Sequence, residues 1–450
     1  MARMGRLRFF ALAWLAATGA TAGSGATRPP ALVDLADLAR AQPPEFAADA
    51  LLRIADAPKL NDVAWKREIL EDAFHLAAGA QQPFARRKVT GWSASLFDEA
   101  YGQGLDALTL QSKAVHAMLA IDFKKARELL GDMPAPRIPR LTCDDADDAL
   151  VYDVSILYTT VGEVAARGFN TKETAQGEPY QLLQHYAADA TSPAQAVPIA
   201  RMLVGASLKA AQFEALVNSF AGALGQLSGD DRSFSATMAG DADAAIASLS
   251  AECARRRINA QPLVDAWGAY KTRQLGGARC ADSAVRGPQP AGKCQSSQCR
   301  QLAAQVQGLI MGTNGFGLTP EQKATSEWGG RLRQYLAALA DWKEDDDPVE
   351  YFQAKSQFYG ILFEVTPNGA ERDLLLSTLL AWLQQNGYQR DHRAEWFYPV
   401  NRMIIQAFAD PVGMKTTIAE LRRSSDPVIA LDARLEQLLP RPMAETIGLL

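Results

Sequence analysis

The chain has 450 residues, with 46 basic and 51 acidic side chains for a net charge of −5, and 48% of it is hydrophobic. Apolar residues spread along the whole length exclude a disordered polymer, and the length suffices for one large core or two ordinary ones. Charges of both signs, interspersed with a small acidic excess, give no general electrostatic reason to bind nucleic acid.

The first 22 residues read as a signal peptide. Arg3, Arg6 and Arg8 form a positive stretch, Phe9 to Ala17 an apolar one, and Ala20-Thr21-Ala22 a small-residue cleavage site, with Ala26 as a second cut. The arginines are not adjacent, which argues against a twin-arginine signal. Cleavage after Ala22 removes three arginines and no acids, leaving a net charge of −8. The apolar run is too short to span a bilayer, and no cysteine precedes Cys143 to carry a lipid. The longest later apolar run, Leu374 to Leu383, is interrupted by Ser377 and Thr378. The expectation is a periplasmic or secreted protein without a stable membrane anchor.

Helix signals follow in order. Short helices are expected near 31–41 and 44–56. A helix over 62–78 is opened by Asn61, with Val63, Leu70, Phe74 and Ala77 on one face. A polar loop from Gln81 to Ser93 precedes helices near 95–121 and 123–131, and Pro134 to Pro139 forms a stiff connector. Helices near 147–167, 179–190, 193–208, 210–227, 242–258 and 261–275 come next. After a Gly/Pro/Cys-rich stretch, further helices are expected at 297–311, 320–343, 348–365, 369–386, 391–409, 411–423 and 427–439. Five starts share a capping residue followed by proline: Ser192-Pro193, Thr319-Pro320, Asp347-Pro348, Asp410-Pro411 and Asp426-Pro427. Proline loses nothing at the first helical position, and the preceding side-chain oxygen caps the first turn. No alternating β-branched run is bounded by turns, so strand is expected at most as a hairpin in a loop.

The expected fold is all-α, with short links making successive helices antiparallel neighbours that stack as an α-solenoid or helical toroid. Leu110 to Met133 resembles a tetratricopeptide unit, with Ala114 and Ala117 on a first helix and Asp122-Phe123-Lys124-Lys125-Ala126 opening a second. The resemblance spans one repeat, and one repeat length beyond Ala126 lies Thr160 without a matching pattern. Gly276, Gly277, Gly287, Pro288, Pro290 and Gly292 cannot continue a helix. The stretch 276–296 is therefore expected to link helical regions over 31–275 and 297–450.

In an oxidising compartment, cysteines default to disulfides. Cys280 flanks the floppy loop with Cys294 as its expected partner and Cys299 as the alternative, and such a bridge adds about 3 kcal/mol in the chain-entropy account. A zinc site on Cys294 and Cys299 lacks C-x-x-C spacing and a nearby histidine. Common catalytic signatures for serine hydrolases, zinc proteases and phosphate binding are absent, so no cofactor or metal is called for. Gly312 to Gly317 is glycine-rich but follows no strand, so it reads as a loop. Asp72 with His75, and His392 with Glu395, share helix faces but find no third ligand element. Asp144, Asp145, Asp147 and Asp148 lack the EF-hand order, and Asp345 to Asp347 suit a helix start.

Trp396, Phe397 and Tyr398 are the candidate binding residues, with Trp328, Trp342 and Trp382 in the same C-terminal third, since aromatic faces beside carboxylates suit a sugar or peptide; the alternative is that the tryptophans fill gaps between helices. The expected function is an exported helical scaffold that binds a protein, peptide or glycan on a concave surface. The rival is a glycan-active hydrolase or lyase on a helical toroid using paired carboxylates, with Glu364, Glu371, Asp391 and Glu395 as candidates. The Glu-Ser dipeptide of exported superhelical lytic transglycosylases occurs nowhere in the chain.

Overall fold

The computed structural model describes residues 28–58, 60–82, 84–88, 103–140, 150–228, 231, 239–275, 296–311, 317–343, 348–367, 369–386, 401, 404–405 and 415–441. These residues are overwhelmingly helical. The first group is α1 (Pro30–Arg40), α2 (Pro44–Ala55), α3 (Val63–Ala77), α4 (Ala107–Leu119), α5 (Phe123–Asp132), α6 (Ser155–Arg167), α7 (Thr171–Gln176), α8 (Glu178–Ala188), α9 (Ala196–Val204), α10 (Ala210–Gln226), α11 (Ala239–Arg255) and α12 (Gln261–Leu275). The second is α13 (Ser297–Ile310), α14 (Pro320–Lys323), α15 (Ser326–Asp341), α16 (Pro348–Val365), α17 (Ala370–Asn386), α18 (Lys415–Arg422) and α19 (Pro427–Leu438).

Side-chain caps set many of the starts. Ser192, Thr319 and Asp426 cap as their Pro-following positions predict, whereas Asp347 and Asp410 lie outside the described residues. Asp106, Asp122, Asn170, Ser296 and Thr325 do the same work without a proline. Thr325 accepts from the Trp328 N–H, which is why the expected helix over 320–343 breaks into α14 and α15. Gly177 adopts φ +82°, a left-handed corner that separates α7 from α8 and that side-chain-bearing residues resist.

Further expectations need correcting. Asp62, not Asn61, caps α3, accepting from the Trp65 N–H. Val63 is consequently 62% exposed, and the buried face is Trp65, Ile69, Leu70, Ala73, Phe74 and Ala77. The helix expected from 147 starts at Ser155. Leu150–Tyr152 pair antiparallel with Arg86–Lys88 instead, and Asp153 turns the chain by accepting from the Ser155 N–H. This short ribbon joins distant segments, so it is no local hairpin, and it lifts part of the expected 81–93 loop into a strand.

The hydrophobic faces pack in succession. From α1, contacts run to α2, α3, α4, α6, α8, α10 and α12, each helix packing on the next, while α5, α9 and α11 lie against this row. Leu51, Ile54, Leu70, Val115, Val161, Phe213, Phe220 and Leu249 belong to its core. Full burial of such side chains contributes about 1.5–3 kcal/mol each. A second core gathers α13, α15, α16, α17 and α18 around Leu332, Tyr359, Leu362, Leu375 and Leu383.

The last helix ties the two together. Leu431 and Leu435 of α19 enter the first core, while Val428, Ile429 and Ala433 enter the second. Arg53 of α2 reaches Asp432 and Glu436 of α19 at 2.8 Å each, and Arg441 and Asn401 complete the buried network. Arg256 plays a similar part at the end of α11. It donates to the Ala206 and Leu208 carbonyls, pairs with Glu252, and lies 4.0 Å over the Phe213 ring.

No helix among the described residues is long and apolar enough to cross a membrane.

Candidate functional site

Asp373 lies in the first turn of α17, and α18 packs across that helix. Thr417, fully buried on α18, donates its hydroxyl to Asp373 Oδ1 at 2.6 Å. Glu420 follows Thr417 by three residues, which places it on the same helix face. Burial pushes its carboxyl up, the Asp373 charge pushes it further, and Arg423 opposes both. One buried Glu420 oxygen has no hydrogen-bond partner among the described residues. A carboxyl whose proton affinity is raised by burial and by a neighbouring carboxylate is a pairing that acid–base chemistry uses.

Glu371, two residues before Asp373, is only partly shielded and pairs with Arg333 of α15 at 3.3 Å. Gly329 allows this approach, since a Cβ there would stand 3.0 Å from the Glu371 carboxylate oxygen. Glu371 therefore serves as a surface tie between α15 and α17. Glu364 lies on α16, with nothing described of its side chain, and Asp391 and Glu395 lie outside the described residues. So do Trp396, Phe397, Tyr398, Cys280, Cys294 and both acidic clusters. Of the two described cysteines, Cys253 is a free, buried thiol and Cys299 is not free.

The other aromatic candidates occupy the second core. Trp328 donates to the Leu309 carbonyl at 3.0 Å, Trp342 meets Tyr351 edge-on, and Trp382 stacks on Tyr359. Lys355, at 1% exposed, stands among them. Its Nζ donates to the Trp342 carbonyl and to Tyr351 Oη at 2.9 Å each. Trp342 follows the last residue of α15, so the ammonium sits at the negative end of that helix.

The polar edge of the first region is self-neutralised. Arg28 pairs with Asp62 and Glu68, Arg40 with Asp72, Arg67 with Asp122, Lys125 with Glu71, and Arg127 with Glu173. Asp72 is thus committed to Arg40 rather than to His75. His116 meets Glu163 and His185 meets Asp189, which is ordinary surface hydrogen bonding. No group of three or more metal-ligating side chains converges among the described residues. Met311 and Gly317 form an antiparallel bridge at the two ends of the glycine-rich stretch. That stretch follows α13 rather than a strand, unlike a phosphate-binding loop.

Sequence reasoning missed Asp373, Glu420 and Lys355. An acid in a helix's first turn reads as dipole matching, and nothing local announces which helix will cross it. Comparison with protein-family profiles, with characterised proteins and with solved structures returns no match to this chain.

Proposed function

We propose that this protein is an exported helical scaffold that presents an extended face of stacked helices to a protein, peptide or glycan partner. The observation that supports this reading is the uninterrupted row from α1 to α12, in which each helix packs on the next. Stacked rows of this kind offer long binding surfaces. The arginine-spaced leader and small-residue cleavage site support a periplasmic or secreted location. The Gly/Pro/Cys-rich stretch 276–296 acts in this reading as the link between the row and the C-terminal helices, stapled through Cys280.

A photo-crosslinking residue placed singly at exposed positions on successive helices, Thr159, Gln181, Asn218 and Val264, tests the reading in the native host. The expectation is one covalent partner of constant mass captured from neighbouring positions. Absence of a specific adduct at all four positions contradicts it.

The Asp373–Glu420 pair favours a second reading, a glycan-active hydrolase or lyase. It would draw on this pair rather than on Glu371, which Arg333 holds.

A further inference from the structure

We propose that the core between α15, α16 and α17 contains a binding site for a small carboxylate, recognised by the Lys355 ammonium and the indole and phenol donors around it. Tyr351, Lys355 and Tyr359 recur every fourth residue along one ridge of α16. Trp342 at the end of α15 and Trp382 of α17 close over that ridge. The ammonium lies 5.0 Å from the Tyr351 ring centre and 5.6 Å from that of Trp382, Tyr359 stacks on Trp382 at 5.7 Å, and Trp342 meets Tyr351 at 4.9 Å.

Two features of this cage are unexplained by folding alone. Lys355 is a buried cation that pairs with no carboxylate among the described residues; its two hydrogen bonds go to a carbonyl and a phenol, which leaves one N–H undirected. Buried cations are ordinarily paired. In the same core, Trp342 Nε1, Tyr359 Oη and Tyr335 Oη, together with Ser356 Oγ at the next position of α16, are buried without a hydrogen-bond partner among the described residues. Native interiors leave few such groups, and a concentration of them in one core is a signature of a missing complement.

The chemistry of the complement follows from the inventory. Ammonium and indole N–H groups only donate, and the hydroxyls can donate as well, so the ligand must accept. A single cation matches a single negative charge, and a dianion such as sulfate or phosphate would carry an uncompensated charge into the core. Flat aromatic walls suit a planar sp² group. A small monocarboxylate meets all three demands. This site is independent of the stacked row and of the Asp373–Glu420 pair.

Acetate and formate titrated into the full mature chain at constant ionic strength, against sodium sulfate, test the proposal through the indole signals in ¹H–¹⁵N spectra. A saturable shift is expected with either carboxylate and not with sulfate. Lys355→Met should abolish it, and Trp342→Phe, which removes the Nε1 donor and keeps an aromatic ring, should weaken binding at least tenfold. If the lysine variant loses its helical dichroism, the tryptophan variant carries the test. No saturable shift with either carboxylate, an equal shift with sulfate, or wild-type affinity in the Trp342 variant overturns the proposal.

Discussion

Replacing Arg53 by methionine removes the guanidinium that clasps α19 to α2 while keeping an unbranched apolar stem. In the native protein Arg53 reaches Asp432 and Glu436 at 2.8 Å each and the Leu439 carbonyl at 3.3 Å. The two acids are nearly buried, and Arg441 is the other cation in the network. Burial already pushes the Asp432 carboxyl up, against the pull of Arg441 and Arg53. The variant leaves two buried carboxylates facing one guanidinium, and breaking a buried pair from one side costs about 3–5 kcal/mol. Urea unfolding with an unchanged slope would report that loss as a lowered midpoint. Arg53→Met with Glu436→Leu matches Asp432 to Arg441 again, leaving Asp49 as the outlying acid, and should recover at least about 1 kcal/mol of it. The sign of the pH effect follows from the raised carboxyl. The folded variant takes up protons more readily than the unfolded chain, so its deficit should shrink as pH falls towards the range where unfolded carboxyls titrate. A single variant within about 1 kcal/mol of the wild type, or a double variant worse than the single, would refute the clasp as the link between the two cores.

Asp106→Ala removes a cap from α4 and the acceptor for the Ala85 N–H, both at 3.0 Å, so urea unfolding should show a loss of about 2–4 kcal/mol, with Asp106→Asn recovering part of it. Burial pushes Lys355 down to about 8, whereas an unfolded lysine titrates near 10.4. From pH 8 to 10 the unfolded chain holds a proton that the native chain lacks, so stability should rise with pH and Lys355→Met should flatten the rise. Above pH 10 the trend should reverse, because burial pushes Tyr335 and Tyr359 up and unfolded phenols ionise first; a wild-type midpoint that is flat from 8 to 10 contradicts this. Non-reducing peptide mapping should find Cys280 joined to Cys294 or Cys299, with Cys253 alkylated only after unfolding; a Cys253 linkage would contradict the assignment.

What was legible in the chain was local. Cap-proline pairs at Ser192, Thr319 and Asp426 located helix starts because a cap and its first turn are neighbours in sequence. The hairpin of α4 and α5 was readable from Ala114, Ala117 and Asp122 for the same reason. Val63 misled because an apolar residue one position after a cap points away from the face that Trp65 and Ile69 bury. The ribbon of Arg86–Lys88 with Leu150–Tyr152 was invisible because neither strand has its partner nearby in sequence. The same limit hid the clasp of Arg53 on α19, the pairing of Asp373 with α18, and the cage around Lys355. Each depends on which helices cross, and periodicity is silent on crossings.

The measurement that bears most directly on scaffold against catalyst is the release of reducing ends from purified cell-wall glycan and a panel of polysaccharides by the mature protein. Asp373→Asn and Glu420→Gln are assayed in parallel. A scaffold predicts release no greater than buffer from all three proteins, with equal cosedimentation on whichever glycan is bound. Release by the wild type that disappears with Glu420→Gln would contradict the scaffold and make the carboxyl pair the catalytic centre.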